Sequence, residues 1–151
     1  MTVICWDGKT LAADSRVTCS NMITTDKFDK IHVFKEGVDY LGDKLLAAGF
    51  AGSCQDVNKF LHHITRYDQW WDSSFNFSLN IIIVGVKHVY EVCDNNTHCI
   101  TYKRDTQLTA GSGYQVAQSA LALGHDAVTA CKLACKLCID CGGKIKTWRD
   151  E

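Results

Sequence analysis

Thr2-Val3-Ile4-Cys5-Trp6-Asp7-Gly8-Lys9-Thr10-Leu11-Ala12-Ala13-Asp14-Ser15 is the stretch from which the rest of the chain is read. Two short apolar runs, residues 2–5 and 10–13, flank Asp7-Gly8. Asp-Gly between such runs signals a hairpin, because the glycine supplies the positive φ of a tight turn. Further along, residues 28–34 predict a strand and residues 45–51 a buried strand ending in glycines. Ser53 is placed to cap a helix running to about residue 70, in which Val57, Phe60, Leu61 and Ile64 follow a 3, 4, 7 spacing. Strands at 80–86, 88–93 and 98–103 follow, with Asp94-Asn95-Asn96 as a hairpin turn. Residues 108–113 predict a strand entering a glycine turn. Helices at 114–123 and 126–139, broken by Gly124, come next, and Gly142-Gly143 leads to a short strand at 144–148. Blocks of strands segregated from helices predict an antiparallel α+β layered fold rather than alternating βαβ units. Without an internal repeat or a Pro/Ser-rich linker, residues 1–151 read as one domain.

Composition narrows the partners. The chain is 46% hydrophobic and 22% charged, enough to bury a sizeable core and too apolar for a disordered protein. Sixteen basic residues against 17 acidic ones, with no basic run, make nucleic acid an unexpected partner. No apolar stretch approaches the ~20 residues that cross a bilayer, so no membrane role is expected. The first residues lack a basic segment followed by a long apolar one, which predicts no secretory signal. With no proline in the chain, turns fall to Gly, Asn, Asp and Ser.

Nine cysteines, an odd number, argue against a disulfide framework and for a reducing, cytoplasmic setting. Cys131, Cys135 and Cys138 have the C-x3-C-x2-C spacing of an iron–sulfur motif, and Cys141 lies close by. The surrounding Ala, Leu and Lys residues favour a helix, where positions i, i+4 and i+7 share one face. A stiff helix presents three thiols poorly to a metal, so the cysteines read as small buried hydrophobes. A Cys-based metal-binding module stands as the less favoured alternative, and no metal or cofactor is expected.

Chemistry enters at residue 2. Methionine before a small residue is commonly trimmed, which would leave Thr2 as the chain terminus. A free N-terminal threonine holds a hydroxyl nucleophile and an α-amine base in one residue. The amine's reference pKa of about 7.7–8.0 suits general-base work near neutral pH.

The pieces that follow resemble the proteasome β-type and HslV peptidases, members of the N-terminal nucleophile (Ntn) hydrolases, and most of all short bacterial or phage-type members. They are Thr2-Val3-Ile4, Asp7-Gly8-Lys9-Thr10-Leu11-Ala12-Ala13-Asp14-Ser15, Lys30-Ile31, Ala48-Gly49-Phe50-Ala51-Gly52 and Gly111-Ser112-Gly113, in the family's order and with similar spacing. The resemblance implies a four-layer αββα sandwich, two antiparallel sheets between helices. It implies Thr2 as nucleophile, Lys30 beside its hydroxyl, Asp14 paired with Lys30, Gly49 as a backbone donor to the oxyanion, and Ser112 near the amine. Residues flanking the lysine and the position two before the oxyanion glycine, here Phe28, His32 and Ala47, would form the pocket for the side chain preceding the cleaved bond. Small Ala47 implies a deep apolar floor, and strand alternation would put Phe28, Lys30 and His32 on one face.

The resemblance further implies a threonine-type peptidase acting on peptides or unfolded proteins, a homo-oligomeric ring, and an ATP-dependent unfoldase as a possible partner. The chain departs from the family in Cys138-Ile139-Asp140-Cys141-Gly142-Gly143, where the proteasome branch carries an aspartate three residues before Ser-Gly-Gly. Cys138 and Cys141 occupy the aspartate and serine positions, and Asp140 is displaced by two. Retention of Met1 would tie up the Thr2 amine as an amide, which leaves a non-catalytic ring or scaffold protein as the alternative.

Overall fold

The computed structural model describes residues 2–66, 77–93 and 99–150. The first hairpin pairs β1 (Ile4–Trp6) with β2 (Thr10–Ala13). Gly8 takes φ +99°, and the Asp7 carboxylate accepts the amides of Lys9 at 2.9 Å and Thr10 at 2.8 Å. The turn therefore closes on a side chain as well as on the backbone. A second hairpin, which the sequence reading did not identify, joins β3 (Val17–Cys19) to β4 (Met22–Thr25). Ser20 and Asn21 both have positive φ, 48° and 68°, which is the two-residue turn that suits twisted strands.

The strand expected at 28–34 begins later and runs further, as β5 (Ile31–Tyr40). Phe28, Asp29 and Lys30 lie ahead of it, and the Asp29 carboxylate accepts the Ile31 amide at 3.1 Å. β5 returns through Leu41 and Gly42, both at positive φ, into β6 (Asp43–Gly52). Helix α1 (Cys54–Arg66) starts directly after Ser53, and its expected end near residue 70 lies outside the described residues. Its first turn is clamped to the next strand, with Ser53 N donating to Ser78 O at 2.8 Å and Ser78 N to the Asp56 carboxylate at 2.8 Å. β7 (Leu79–Gly85), β8 (His88–Val92) and β9 (Cys99–Lys103) follow the expected strands to within two residues, while the turn at 94–96 lies outside the described residues. β10 (Leu108–Ala110), α2 (Tyr114–Ala122), α3 (Ala127–Leu137) and β11 (Lys146–Arg149) complete the chain.

The strands form a β10-β1-β2-β11 sheet, a β5-β6-β7-β8-β9 sheet and the β3-β4 ribbon, all antiparallel. Side-chain alternation builds three apolar interfaces from the two large sheets. Val3, Cys5 and Ala12 point to α2 and α3, where they meet Ala117, Ala130, Cys131 and Ala134. Ile4, Trp6 and Leu11 point the other way, onto Ala47, Ile82, Val84 and Val89 of the second sheet. The far face of that sheet, with Phe50, Ile81 and Ile83, packs on Phe60 and Ile64 of α1. The result is α1, sheet, sheet, then α2 with α3: the expected α+β four-layer αββα arrangement. Full burial of a side chain such as Ile82 contributes roughly 1.5–3 kcal/mol. The small residues facing α2 and α3 let those helices lie close to β1 and β2.

Cys131 contributes to this packing, its Sγ 3.2 Å from Cys5 Sγ, and Cys135 and Cys138 border the same cluster. Among the described residues no group of three or more His, Cys, Asp or Glu side chains is arranged to hold a metal ion. No helix among them is long and apolar enough to cross a membrane.

Candidate active site

Thr2 leads into β1 and is 2% exposed. Asp14 follows β2 immediately, so the first hairpin brings the two residues together: Asp14 N donates to Val3 O at 3.3 Å, and Val3 N donates to Asp14 Oδ1 at 3.2 Å. Thr2 Oγ1 donates to the same carboxylate oxygen. Asp14 Oδ2 accepts the amide of Gly142 at 3.0 Å. The loop ahead of β11 thereby completes the carboxylate's surroundings from a distant part of the chain. Gly142 O in turn accepts the Ser15 amide at 2.9 Å.

Lys30 arrives from the segment before β5, held by Phe28 N donating to Ser15 O at 3.0 Å and by Phe50 N donating to Lys30 O at 2.9 Å. Its ammonium is buried and donates to Thr2 Oγ1, to Asp14 Oδ1 at 2.7 Å and to the Arg16 carbonyl at 2.5 Å. Three donors meet three acceptors, which is how a cation is tolerated away from water. Arg16 is itself fixed by Asp26, through Nε at 2.8 Å and Nη2 at 3.2 Å. The Arg16 hydrogen bond holds the Asp26 carboxyl below its usual range.

Above these groups opens a cleft of about 310 Å³, lined by Thr2 and Lys30 together with Phe28, Phe50, Val57 and Leu79. A second recess of about 300 Å³ shares Phe28, Lys30, Phe50, Cys54 and Val57 and adds His32. Phe28 thus borders both depressions and His32 the second, although Phe28 and Lys30 precede the strand that was to align them. Sequence reading missed Gly52, Cys54 and Val57 as cleft residues, and Arg16 O and Gly142 N as partners of Lys30 and Asp14. The α1 start signal and the Gly142-Gly143 pair were visible, but their position beside Thr2 depends on long-range pairing.

Two expected residues lie elsewhere. Ala47 is fully buried between the sheets and lines neither depression. Strand alternation is responsible: from cleft-lining Phe50, Ala48 falls on the same α1 side and Ala47 on the inter-sheet side with Ala51, while the register shift beyond Ala47 moves Leu45 to the α1 side. Gly49 also lies off the cleft. Along β6 the amides alternate in direction. Phe50 N goes to Lys30 O and Ser53 N to Ser78 O, so the amides of Gly49 and Ala51 face β7, where Gly49 is in register with Ile82. The amide left facing the cleft is that of Gly52. Gly49 instead allows the sheets to approach closely, since a Cβ there would lie 2.6 Å from Ile4 Cγ2.

Ser112 reaches Thr2 through its carbonyl, with Oγ donating to Thr2 O at 3.4 Å. Gly111 has φ +94°, and a Cβ on it would collide with the same carbonyl. Cys141 is 1% exposed. Burial, reinforced by the nearby Asp14 charge, pushes its thiol up to about 12 and that of Cys135 to about 11. Both stay neutral at physiological pH.

No protein-family model and no curated protein matches the sequence. Among solved structures the chain is similar to the crystal structure of eukaryotic HslV from Trypanosoma brucei, with a TM-score of 0.69, 17% identity and coverage of 99% of each chain. A likeness spanning both chains, on top of the αββα layering, shows that this protein has the HslV and proteasome β-type fold, that of the Ntn hydrolases.

Proposed function

We propose that the protein is a threonine-type peptidase whose nucleophile is Thr2, exposed as the chain terminus by removal of Met1. The observation that carries this reading is the buried contact of Thr2 Oγ1 with Lys30 Nζ and Asp14 Oδ1 at the floor of an open cleft. The freed α-amine takes the hydroxyl proton as Oγ1 attacks a peptide carbonyl. Lys30 stabilises the developing negative charge on Oγ1, and Asp14 keeps the ammonium in place. On collapse of the tetrahedral species the α-ammonium returns that proton to the leaving peptide nitrogen, and the ester left on Thr2 is hydrolysed by a water that the α-amine deprotonates. The cleft-facing Gly52 amide, rather than that of Gly49, serves as backbone donor to the oxyanion, a role worth ~3–4 kcal/mol in comparable enzymes. Ser112 helps to place Thr2 through its carbonyl.

The apolar walls formed by Phe28, Phe50, Val57 and Leu79 favour a bulky apolar side chain before the cleaved bond. His32 borders the neighbouring recess. The substrate is a peptide or unfolded protein in the cytoplasm. The exposed Leu123, Leu137 and Ile139 support a homo-oligomeric ring, and an ATP-dependent unfoldase is the partner such a chamber would use. A non-catalytic ring protein is the competing reading, favoured by the cysteines at 138 and 141.

Intact mass with and without a threonine-directed covalent inhibitor separates the two. The peptidase loses Met1, gains one inhibitor on Thr2, and loses peptide hydrolysis in Thr2→Ala. Full-length mass with no adduct establishes the ring protein instead.

A further inference from the structure

The inter-sheet faces of β7 and β8 break their own pattern at one end. On β7 that face reads Asn80, Ile82, Val84; on β8 it reads Val89, Glu91, with Cys93 next beyond the strand. Ile82, Val84 and Val89 are fully buried against the first sheet, but Asn80, Glu91 and Cys93 are only half-buried. Polar residues on the core face of adjacent strands require that the opposite layer withdraw. It does: a cavity of about 410 Å³ opens there between the sheets, bounded across the gap by Ala110, Gly111 and Ser112.

This cavity lies against the site from the opposite side to the apolar cleft. Gly52 borders both. The cleft touches Thr2 from the Lys30 side, whereas the cavity is walled by Gly111 and Ser112, which pack on the Thr2 carbonyl. Gly52, Gly111 and Ser112 thus put this cavity beside Thr2 and apart from the apolar cleft. The walls there include Ala51, Ala110 and Tyr114, and among the described residues that line it only Glu91 carries a formal charge.

We propose that this cavity binds the residue following the cleaved bond and that Glu91 selects a cationic side chain there, Lys or Arg. A largely apolar wall ending in one carboxylate, whose Oε1 also accepts Tyr102 Oη at 3.4 Å, matches a long methylene stem carrying a positive head. The inference rests on the peptidase reading and adds the leaving side of the substrate to it.

The test uses a peptide pair alike except for the residue after the cleaved bond, lysine in one and norleucine in the other. The two match in stem length and differ in charge. Thr2-dependent kcat/KM is about tenfold higher for the lysine peptide at low salt, and the ratio shrinks as ionic strength rises. Glu91→Gln brings the ratio close to one, and Asn80→Asp, which adds a carboxylate to the same wall, raises it. A ratio does not depend on how much of a variant is folded. Equal rates for the two peptides, or a lysine preference that survives Glu91→Gln, overturns the assignment of Glu91 while leaving the peptidase reading intact. Absence of any Thr2-dependent cleavage overturns both.

Discussion

Replacing Lys30 by Met tests the centre of the site, because the structure gives both sides of the balance. Lys30 is 4% exposed, Asp14 is fully buried, and Nζ lies 2.7 Å from Oδ1. At that distance and an effective dielectric of about 20, the attraction is about 6 kcal/mol, set against the desolvation of both ions. Lys30→Met leaves the buried Asp14 carboxyl without its cation, but it keeps the amides of Val3 and Gly142. The expected destabilisation is therefore at the lower end for a broken buried pair, about 3 kcal/mol. Asp14→Asn is worse. It orphans the ammonium, and an amide has one oxygen where the site presents backbone N–H groups to both carboxylate oxygens. One of those N–H groups must then face an NH2, which moves the cost to about 5 kcal/mol. The double variant lacks both charges and is less destabilised than the sum of the single ones by about 2–3 kcal/mol, the signature of a coupled pair. Urea unfolding of the four proteins measures this, with peptide hydrolysis, absent in all three variants, recorded in parallel. Additive costs, or a loss below 1 kcal/mol for Lys30→Met, would refute the reading of a desolvated ion pair at Thr2.

Asp43 predicts an acid-sensitive step. It is 5% exposed, and although burial disfavours its charge, hydrogen bonds from Tyr90 Oη and the amides of Lys87, Lys44 and His88 outweigh this and lower its pKa. Its contribution to stability is present above the ordinary value of 3.8 and is lost as pH falls below it toward the native one. Tyr90→Phe should cost about 1.5–3 kcal/mol at neutral pH and flatten the acid limb of a stability–pH curve, read by chemical unfolding. Gly111→Ala, at φ +94° with its new Cβ against the Thr2 carbonyl, should displace Thr2 and abolish inhibitor labelling, as read by intact mass. Iodoacetamide at pH 8 should modify exposed Cys19 first and spare Cys5, Cys131 and Cys141 until urea unfolds the chain; peptide mapping would expose the error if Cys141 reacted early.

The sequence by itself determined what depends on neighbours along the chain. Asp7-Gly8 set the first hairpin, apolar spacing set α1, and Gly124 separated α2 from α3. Thr2 stood out as a residue that trimming of Met1 would expose, whereas Asp14 and Lys30 were named through the family resemblance; the first hairpin and the backbone bond from Phe50 to Lys30 bring the three together. The tertiary structure decided what depends on register and on which layer a residue faces. The register of β6 put Phe50 on the α1 side and so Ala47 in the gap between the sheets, and a one-residue shift before Ala47 turned Leu45 to the α1 side. The pairing of Phe50 with Lys30 turned the Gly49 amide toward β7 and left that of Gly52 facing the cleft. The Gly142 amide reached Asp14 across 128 residues of chain. In a strand both side chains and amides reverse direction at every residue, so a single bulge or a shift in pairing reassigns a whole face, and composition carries no record of it.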